Sequence, residues 1–281
     1  MIKLVTFTSD FGTVDSYVSE VKGVIKACDP EIEIIDITHW IEPGNLTAAS
    51  FVLLNSFRYF KKGTVHLAVI DPGVGSDRDI IAVKTKDYVF IGPDNGILYE
   101  SVKVDGGGRI YALAVDRFIK KIAEIYAGNE VIRRITCGGI STTFQGRDLF
   151  APFTGYILGG MPIEAVAVEK GSMIKLEITS PVRSADKVCG KIIYIDRFGN
   201  LISNIKDGLV SPGDEIFLKT RKSITSVGTL KKSYSNTDEG RCLPLIGSRG
   251  FLEIALNRGN AKDFFEARYG DEILILKQAK R

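Results

Sequence analysis

Histidine and cysteine, the residues that build most metal centres and disulfide scaffolds, are scarce in this sequence. It contains two histidines and four cysteines among 281 residues, and the cysteines lie far apart without a C-x-x-C pair. Two histidines exclude a histidine-rich metal site, and scattered cysteines indicate reduced core residues rather than disulfides or metal ligands. We therefore expect neither a bound metal nor a disulfide framework.

Long apolar runs and blocks of like charge are also missing. No stretch approaches the run of about 20 apolar residues that spans a bilayer. The start, MIKLVTFTSD, has no apolar core long enough for a signal peptide. The 37 basic and 34 acidic residues are interspersed and leave a formal charge of +3, too small to indicate a nucleic-acid partner. We expect a cytoplasmic protein with no membrane and no nucleic-acid partner.

The first half of the chain alternates apolar, strand-like runs with helical patterns. Residues 14–28 have apolar side chains at helical spacing, with Asp15 or Thr13 as the cap, and a second helix has Asn45 as its cap. Strands that alternate with helices predict a mostly parallel sheet covered on both faces. The Gly-rich residues 129–160 are expected to form a loop and then a short helix.

The pattern changes near residue 168, where a polar segment with a proline is followed by short apolar runs separated by turns. We predict an N-terminal α/β domain over residues 1–168, a linker over residues 169–187 and a smaller C-terminal β-barrel or sandwich over residues 188–281. A chain of this length can bury a sizeable core in such domains.

The motif TSDFG places Asp10 at the end of the first predicted strand. In open α/β sheets, ligands bind at the carboxyl ends of the strands. A carboxylate there can accept two hydrogen bonds from a ribose diol. A turn or helix-capping aspartate is the structural alternative.

The motif IDPGVGSDR follows an apolar run that reads as a buried strand. Its glycines, Gly73 and Gly75, permit a tight loop close to a ligand, but no G-x-G-x-x-G fingerprint opens a helix here. Asp71 and Arg78 can form an ion pair in a cleft, where the carboxylate would orient water. A structural salt bridge that fixes the loop is equally compatible with the sequence.

Three later motifs allow a functional and a structural reading each. STTFQGRDLFAP suits either a pocket-lining loop or a helix entry in which Arg147 and Asp148 form a local ion pair. In YIDRFGN, Phe198 and Asn200 offer a ring and an amide that suit a purine, or simply a hairpin turn. The Gly-rich turns around Ser248 can bind carboxylates or adenine edges through backbone amides, or join strands.

In order and combination, these motifs resemble the S-adenosylmethionine hydroxide adenosyltransferases, adenosine-forming hydrolases related to fluorinase and chlorinase. The resemblance covers nearly the whole chain through TSDFG, DITH, DPGVGS.R, GPDNG, F.GRD.FAP, D.FGN...NI and SRG......N.GNA. It implies hydrolysis of S-adenosyl-L-methionine to adenosine and L-methionine by water attack at the ribose 5′-carbon, without a cofactor. It also implies a homotrimer whose active sites join one subunit's N-terminal domain to its neighbour's C-terminal domain.

The resemblance also implies roles for individual residues. Asp71 and Arg78 match two members of a water-activating Asp-Arg-His set, and Gln145 stands at the third position. The implied substrate contacts are Asp10 for the ribose hydroxyls, Asp15 and Ser16 for the methionine part, Asp196 for its ammonium group, Phe198 and Asn200 for adenine, Ser248 and Arg249 for the methionine carboxylate, and Arg258 near adenine.

The departure from the family pattern is Gln145, because the motif usually reads FHGRD and here reads FQGRD. A glutamine cannot take a proton near pH 7. Either Asp71 alone supplies basicity, or turnover is slower, or another group substitutes. His39, in DITH, lies at the end of a predicted strand. His66 lies within a strand and is expected to be structural.

Two other functions are compatible with the motifs. A protein that binds adenosine or S-adenosylmethionine with little turnover would explain Gln145. A halide-using transferase is disfavoured, because the halide enzymes carry a tyrosine where Asp71 stands.

Overall fold

A computed structural model describes residues 2–278 of the protein. The chain divides into two compact units, Met1–Glu177 and Ile178–Arg281, which we call the N-terminal and C-terminal units. No helix among the described residues is long and apolar enough to cross a membrane.

The described part of the N-terminal unit, residues 2–177, contains seven strands and six α-helices. The strands are β1 (Leu4–Ser9), β2 (Glu33–Thr38), β3 (Val65–Val69), β4 (Ile80–Thr85), β5 (Val89–Pro93), β6 (Gly108–Leu113) and β7 (Ala167–Lys170). The helices are α1 (Tyr17–Cys28), α2 (Leu46–Ser56), α3 (Tyr99–Val104), α4 (Val115–Ile125), α5 (Glu130–Gly138) and α6 (Ala151–Leu158), with a π-helical turn at Gly146–Phe150 and 3₁₀ turns at Phe57–Tyr59 and Ile163–Ala165.

These strands form one sheet in the order β2-β1-β3-β5-β4-β6-β7. The half that contains β2, β1, β3 and β5 is parallel, and the pairs from β5 through β4 and β6 to β7 are antiparallel. The predicted α/β class is confirmed, but the expectation of a mostly parallel sheet was wrong, because three of the six strand pairs are antiparallel. Antiparallel pairing enters through the hairpin of β4 and β5, whose short turn cannot provide the long crossover that parallel strands need.

Helix α1 buries Val18, Val21, Val24 and Ile25, which lie on one face at helical spacing and join the main core of the unit. The predicted caps were wrong for this helix. Thr13 and Asp15 lie before the cap position, which Ser16 occupies without making a capping hydrogen bond.

The predicted cap of α2 is confirmed, because the Asn45 side chain accepts a hydrogen bond from the Ala48 amide at 3.0 Å. Such a bond satisfies one of the backbone donors that the first turn of a helix leaves free.

The prediction of a loop at the start of residues 129–160 was wrong, because α5 forms there. The Asn129 side chain accepts hydrogen bonds from the amides of Val131 and Ile132 at 3.0 and 3.1 Å and so caps the helix. Ile132 and Ile135 are buried against the core. The glycines that indicated a loop mark the end of the helix, where Gly139 has a φ of +87°.

The described part of the C-terminal unit, residues 178–278, contains eight strands and one short α-helix. They are β8 (Val182–Arg183), β9 (Lys187–Ile195), β10 (Leu201–Lys206), β11 (Glu215–Lys219), β12 (Ile224–Thr229), β13 (Cys242–Ile246), β14 (Phe251–Leu256), α7 (Ala261–Phe265) and β15 (Glu272–Leu276), with a 3₁₀ turn at Tyr234–Asn236.

The C-terminal strands pair in the order β12-β11-β15-β9-β10-β14-β13, and β8 adds to β9. After β12, the Lys231 amide donates to the Pro244 carbonyl of β13 at 2.8 Å and brings the two ends of the sheet together. The sheet is therefore antiparallel, barrel-like and nearly closed around an apolar core, which confirms the predicted β architecture.

All four cysteines are free in the structure. Cys137 is exposed, however, so its assignment to the core was wrong. It follows the buried Ile135 by two positions on α5, which turns its side chain to the opposite face of the helix.

His66 lies within β3, and burial lowers its pKa to about 3.

Candidate active site

Three polar residues follow neighbouring strands of the N-terminal sheet. Asp10 and His39 come directly after β1 and β2, and Asp71 lies just beyond β3. Because these strands are adjacent and parallel, their carboxyl ends meet at one edge of the sheet. Pro72 lies 3.7 Å from the position that a Cβ on Gly44 would take, so the loops after β2 and β3 are in contact.

The Asp10 carboxylate is held by the loop that follows β2. Its Oδ2 accepts a hydrogen bond from the Gly44 amide at 2.9 Å. Burial raises the pKa of Asp10, the Gly44 amide lowers it in part, and the charge of Asp71 raises it further. The carboxylate is thus fixed by one bond and keeps acceptor capacity for a ligand.

Asp71 and Arg78 form the predicted ion pair. Arg78 Nε lies 3.0 and 2.9 Å from the two Asp71 oxygens, and Arg78 Nη2 also donates to Oδ2. Only 6% of the Asp71 side chain and 10% of the Arg78 side chain are exposed, so little solvent screens the pair. The guanidinium also lies 5.5 Å from the centre of the Phe150 ring.

Gln145 completes the group that we call the Asp71 cluster, which consists of Asp71, Arg78 and Gln145. Arg78 Nη2 donates to Gln145 Oε1. A guanidinium has no acceptor, so the bond fixes the amide oxygen toward Arg78 and leaves the amide nitrogen free to donate elsewhere. The cluster can therefore hold a water molecule by donation from Gln145 and by acceptance at Asp71.

A close approach of two loops brings Gln145 to Arg78. Gly75 has a φ of +81°, and a Cβ on it would lie 2.6 Å from the Thr142 carbonyl oxygen. Only glycine allows that contact. On the far side, Asp148 Oδ2 accepts from the Ser141 amide at 2.9 Å and holds the same loop.

Arg147 and Asp148 form the local ion pair that the sequence allowed, with Arg147 Nε 2.6 Å from Asp148 Oδ1. Arg147 also contacts Glu20 of α1 at 3.0 Å. These bonds tie the π-helical turn to α1, so the pair supports the loop that carries Gln145.

Asp15 and Ser16 are exposed residues of the turn that links β1 to α1. The Ser16 hydroxyl donates to Glu20 Oε1 at 2.6 Å. Both follow the Asp10 motif directly, on the segment that leaves the carboxyl edge of the sheet.

In the C-terminal unit, most of the predicted contact residues line one pocket of about 830 Å³, which we call the C-terminal pocket. Its predicted members are Asp196, Phe198, Asn200, Ser248 and Arg258. Arg249 lines an adjoining pocket of about 300 Å³, to which Asp196, Phe198 and Ser248 also contribute.

Asp196 organises the turn between β9 and β10. Its Oδ1 accepts from the amides of Phe198 and Asn200 at 2.9 Å, and its Oδ2 accepts from the Asn200 side chain at 2.9 Å. Phe198 lines the C-terminal pocket, and 74% of the residue is exposed. An exposed ring beside a fixed amide suits a flat, polar-edged ligand.

Tyr234 and Glu253 line the C-terminal pocket without having been predicted. The Tyr234 hydroxyl donates to Glu253 Oε1 at 3.0 Å, and burial raises the pKa of both groups. Tyr234 begins a 3₁₀ turn in a polar segment without periodic apolar residues, and Glu253 lies within β14. The sequence offered no local pattern to single out either residue.

No group of three or more histidine, cysteine, aspartate or glutamate side chains among residues 2–278 is arranged to hold a metal ion. The acidic residues at the sheet edge are paired with Arg78 or with a backbone amide instead.

Comparison with known proteins relates both units to one family. Residues 5–167 match the family model of the SAM hydroxide adenosyltransferase N-terminal domain, and residues 190–274 match that of the SAM hydroxide adenosyltransferase C-terminal domain.

Individual relatives are similar over nearly their full lengths. The (R)-S-adenosyl-L-methionine hydrolase of Methanocaldococcus jannaschii is 35% identical over 288 residues, which covers 98% of this chain and 97% of the relative. A fluorinase of Nocardia brasiliensis is 24% identical and covers 97% of this chain and 96% of its own. The crystal structure of a conserved protein from Thermotoga maritima has 34% identity and a TM-score of 0.82, over 97% of this chain and 100% of its own. The chain therefore belongs to the SAM hydroxide adenosyltransferase family.

Proposed function

We propose that this protein hydrolyses S-adenosyl-L-methionine to adenosine and L-methionine by attack of water at the ribose 5′-carbon. The observation that carries the proposal is the Asp71 cluster, in which one guanidinium fixes a carboxylate and an amide at the carboxyl edge of the sheet. Asp10 lies at the same edge with acceptor capacity to spare. The hydrolase name of a relative with 35% identity supports the same reaction.

The proposed reaction makes modest demands on acid and base groups. The water oxygen bonds to the 5′-carbon while the carbon–sulfur bond breaks, and the bonding electrons return to the sulfonium sulfur. The leaving group is a neutral thioether, so it needs no general acid. The water loses one proton, which Asp71 can accept. Alignment of oxygen, carbon and sulfur supplies much of the rate enhancement.

Gln145 limits how the water can be activated. Its oxygen already accepts from Arg78, and its amide can donate to the water but cannot remove a proton. Asp71 is then the base of the cluster. General-base assistance contributes on the order of 10²–10⁴-fold, so a weak base slows this reaction without abolishing it.

The remaining substrate contacts are proposed from the resemblance. They are Asp10 for the ribose hydroxyls, Asp15 and Ser16 for the methionine part, Asp196 for its ammonium group, Phe198 and Asn200 for adenine, Ser248 and Arg249 for the methionine carboxylate, and Arg258 near adenine. The grouping of the last six residues around two adjoining pockets supports this assignment.

Incubation of the pure protein with S-adenosyl-L-methionine, followed by chromatography, tests the proposal. We expect adenosine and L-methionine in equal amounts and in catalytic excess over protein. Tight binding of S-adenosyl-L-methionine without product would favour the alternative of a binding protein, which would explain the glutamine at position 145. A halogenated nucleoside on addition of chloride or fluoride would favour a halide-using transferase.

We further propose a homotrimer in the cytoplasm, with no cofactor and with sites shared between subunits. The resemblance is the source of this proposal, and the division of the proposed contacts between the two units is compatible with it. Light scattering on the purified protein should give three times the mass of one chain, and cell fractionation checks the location.

A further inference from the structure

His39 makes a bond to β1 for which the proposed reaction has no use. It lies directly after β2, with only 3% of its surface exposed, and its Nδ1 is 2.7 Å from the hydroxyl of Ser9, the last residue of β1. The Ser9 hydroxyl also accepts from the Phe11 amide at 3.3 Å. Asp10 lies between Ser9 and Phe11 in the sequence, so both contacts are made by its direct neighbours.

The surroundings of His39 define its tautomer. Nε2 lies 3.1 Å from Asp36 Oδ1, and Lys22 Nζ lies 2.5 Å from the other Asp36 oxygen. A lone pair facing that carboxylate would be repelled, so Nε2 carries the proton and Nδ1 accepts from Ser9. Burial lowers the pKa of His39, which agrees with a neutral ring.

The main chain of His39 adds a second bond to the same turn. Its carbonyl accepts from the Gly12 amide at 2.7 Å. Ser9 precedes Asp10 and Gly12 follows it, so His39 is bonded to the turn on both sides of this residue. The bond from Gly44 to Asp10 then fixes the carboxylate itself.

We propose that His39 is a positioning residue, which holds the Asp10 carboxylate in place for the ribose hydroxyls through its bonds to Ser9 and Gly12. This inference rests on the proposed function, in which Asp10 binds the ribose. A binding group needs to be held within about 0.5 Å of its productive geometry. Loss of the Ser9 bond therefore weakens recognition of the hydroxyls more than recognition of the base.

The chain contains a matched control in His66. Its Nδ1 also lies 2.7 Å from a β1 hydroxyl, that of Thr6, and its side chain is also fully buried. Thr6 is three residues before Ser9, inside the strand and away from the turn. His66→Leu removes the same kind of bond without touching the Asp10 turn.

The test measures the dissociation constants of adenosine and 2′,3′-dideoxyadenosine by calorimetry. A charge-assisted hydrogen bond supports about tenfold or more discrimination in the wild type. We expect His39→Leu to lose most of that ratio, His39→Asn to keep it because its Oδ1 can accept from Ser9, and His66→Leu to keep it. Ser9→Ala provides a second route, with the same expected loss, should His39→Leu fold poorly.

Two outcomes would overturn the inference in different ways. A wild-type ratio in His39→Leu or in Ser9→Ala would show that the turn needs no clamp, and the proposed function would stand. Absence of adenosine release from S-adenosyl-L-methionine by the wild type would overturn the proposed function together with this inference.

Discussion

Arg78 is the residue that holds the Asp71 cluster together, because its guanidinium bonds the groups on both of its sides. Its pairing with Asp71 could be predicted from a separation of seven residues across a Gly-rich loop. The bond to Gln145 spans 67 residues and has no local signal. Only the resemblance to the family grouped Arg78 with Gln145. The fold brings the two side chains together through the close approach of Gly75 to Thr142.

Gln145→His should increase the rate of adenosine release, because a neutral imidazole can take the water proton. The rate should rise with pH as the new histidine loses its proton, near its ordinary pKa of about 6.5, which the wild type should not do. Chromatographic rates from pH 5 to 8 for both proteins provide the measurement. An unchanged rate would remove the idea that the missing histidine limits turnover.

Asp10→Asn should stabilise the protein while it destroys ribose binding. Burial and the charge of Asp71 raise the pKa of Asp10, so the ionised carboxylate lowers stability above that pKa. The asparagine oxygen can still accept from Gly44. Thermal unfolding at pH 7 should show a higher Tm, by roughly 2–4 °C for each kcal/mol gained.

The Tm difference between Asp10→Asn and wild type should shrink as the pH falls and Asp10 becomes protonated. Asp77→Asn, an exposed change in the loop after β3, should leave Tm unchanged. A lower Tm for Asp10→Asn at pH 7 would contradict the conclusion that partial burial destabilises the ionised Asp10 carboxylate.

The elements that carry the site were more predictable than their ends. Strands β1, β2 and β3 have strong apolar runs, so their carboxyl edge was identifiable as the place for Asp10 and Asp71. Helix α5 was missed because its glycines signalled a loop, while the capping of Asn129 and the burial of Ile132 decided in favour of a helix. Local turn chemistry is outweighed here by a cap and by tertiary packing.

Gly75→Ala should disrupt the site through the loop that carries Gln145. The added Cβ would lie 2.6 Å from the Thr142 oxygen, and the φ of +81° costs a non-glycine residue roughly 1–2 kcal/mol in addition. Gly106→Ala is the matched control, since its φ is +92° and no atom lies within 4 Å of the added Cβ.

Both glycine variants should lose similar stability from the backbone term, but only Gly75→Ala should lose turnover. We expect kcat to fall by roughly a hundredfold, the effect of a misplacement of about 1 Å. Equal kcat values for the two variants, measured as adenosine release, would contradict the role of this close approach.

At the scale of the whole molecule, the proposed contacts divide between two units. The Asp71 cluster belongs to the N-terminal unit and the C-terminal pocket to the other. The change of pattern near residue 168 predicted two folds of different class, and periodicity was sufficient for that. Sequence periodicity carries no information on whether subunits share active sites, so the shared sites are proposed from the resemblance alone.

Mixing two inactive variants tests whether subunits share sites. Asp71→Asn impairs the N-terminal unit and Arg249→Ala the C-terminal unit, so neither homotrimer should turn over substrate well. In mixed trimers with shared sites, about a quarter of the sites combine two intact halves by random assortment. We expect adenosine release to recover after the two variants are refolded together. If the mixture stays inactive, both halves of each site belong to one chain.

The central claim, water attack at the 5′-carbon, is tested most directly by turnover of S-adenosyl-L-methionine in ¹⁸O-labelled water. We predict adenosine with ¹⁸O in its 5′-hydroxyl and unlabelled L-methionine by mass spectrometry. The rate should fall on the order of 10²–10⁴-fold in Asp71→Asn and stay unchanged in Asp77→Asn. Unlabelled adenosine, or methylthioadenosine as the nucleoside product, would contradict the account.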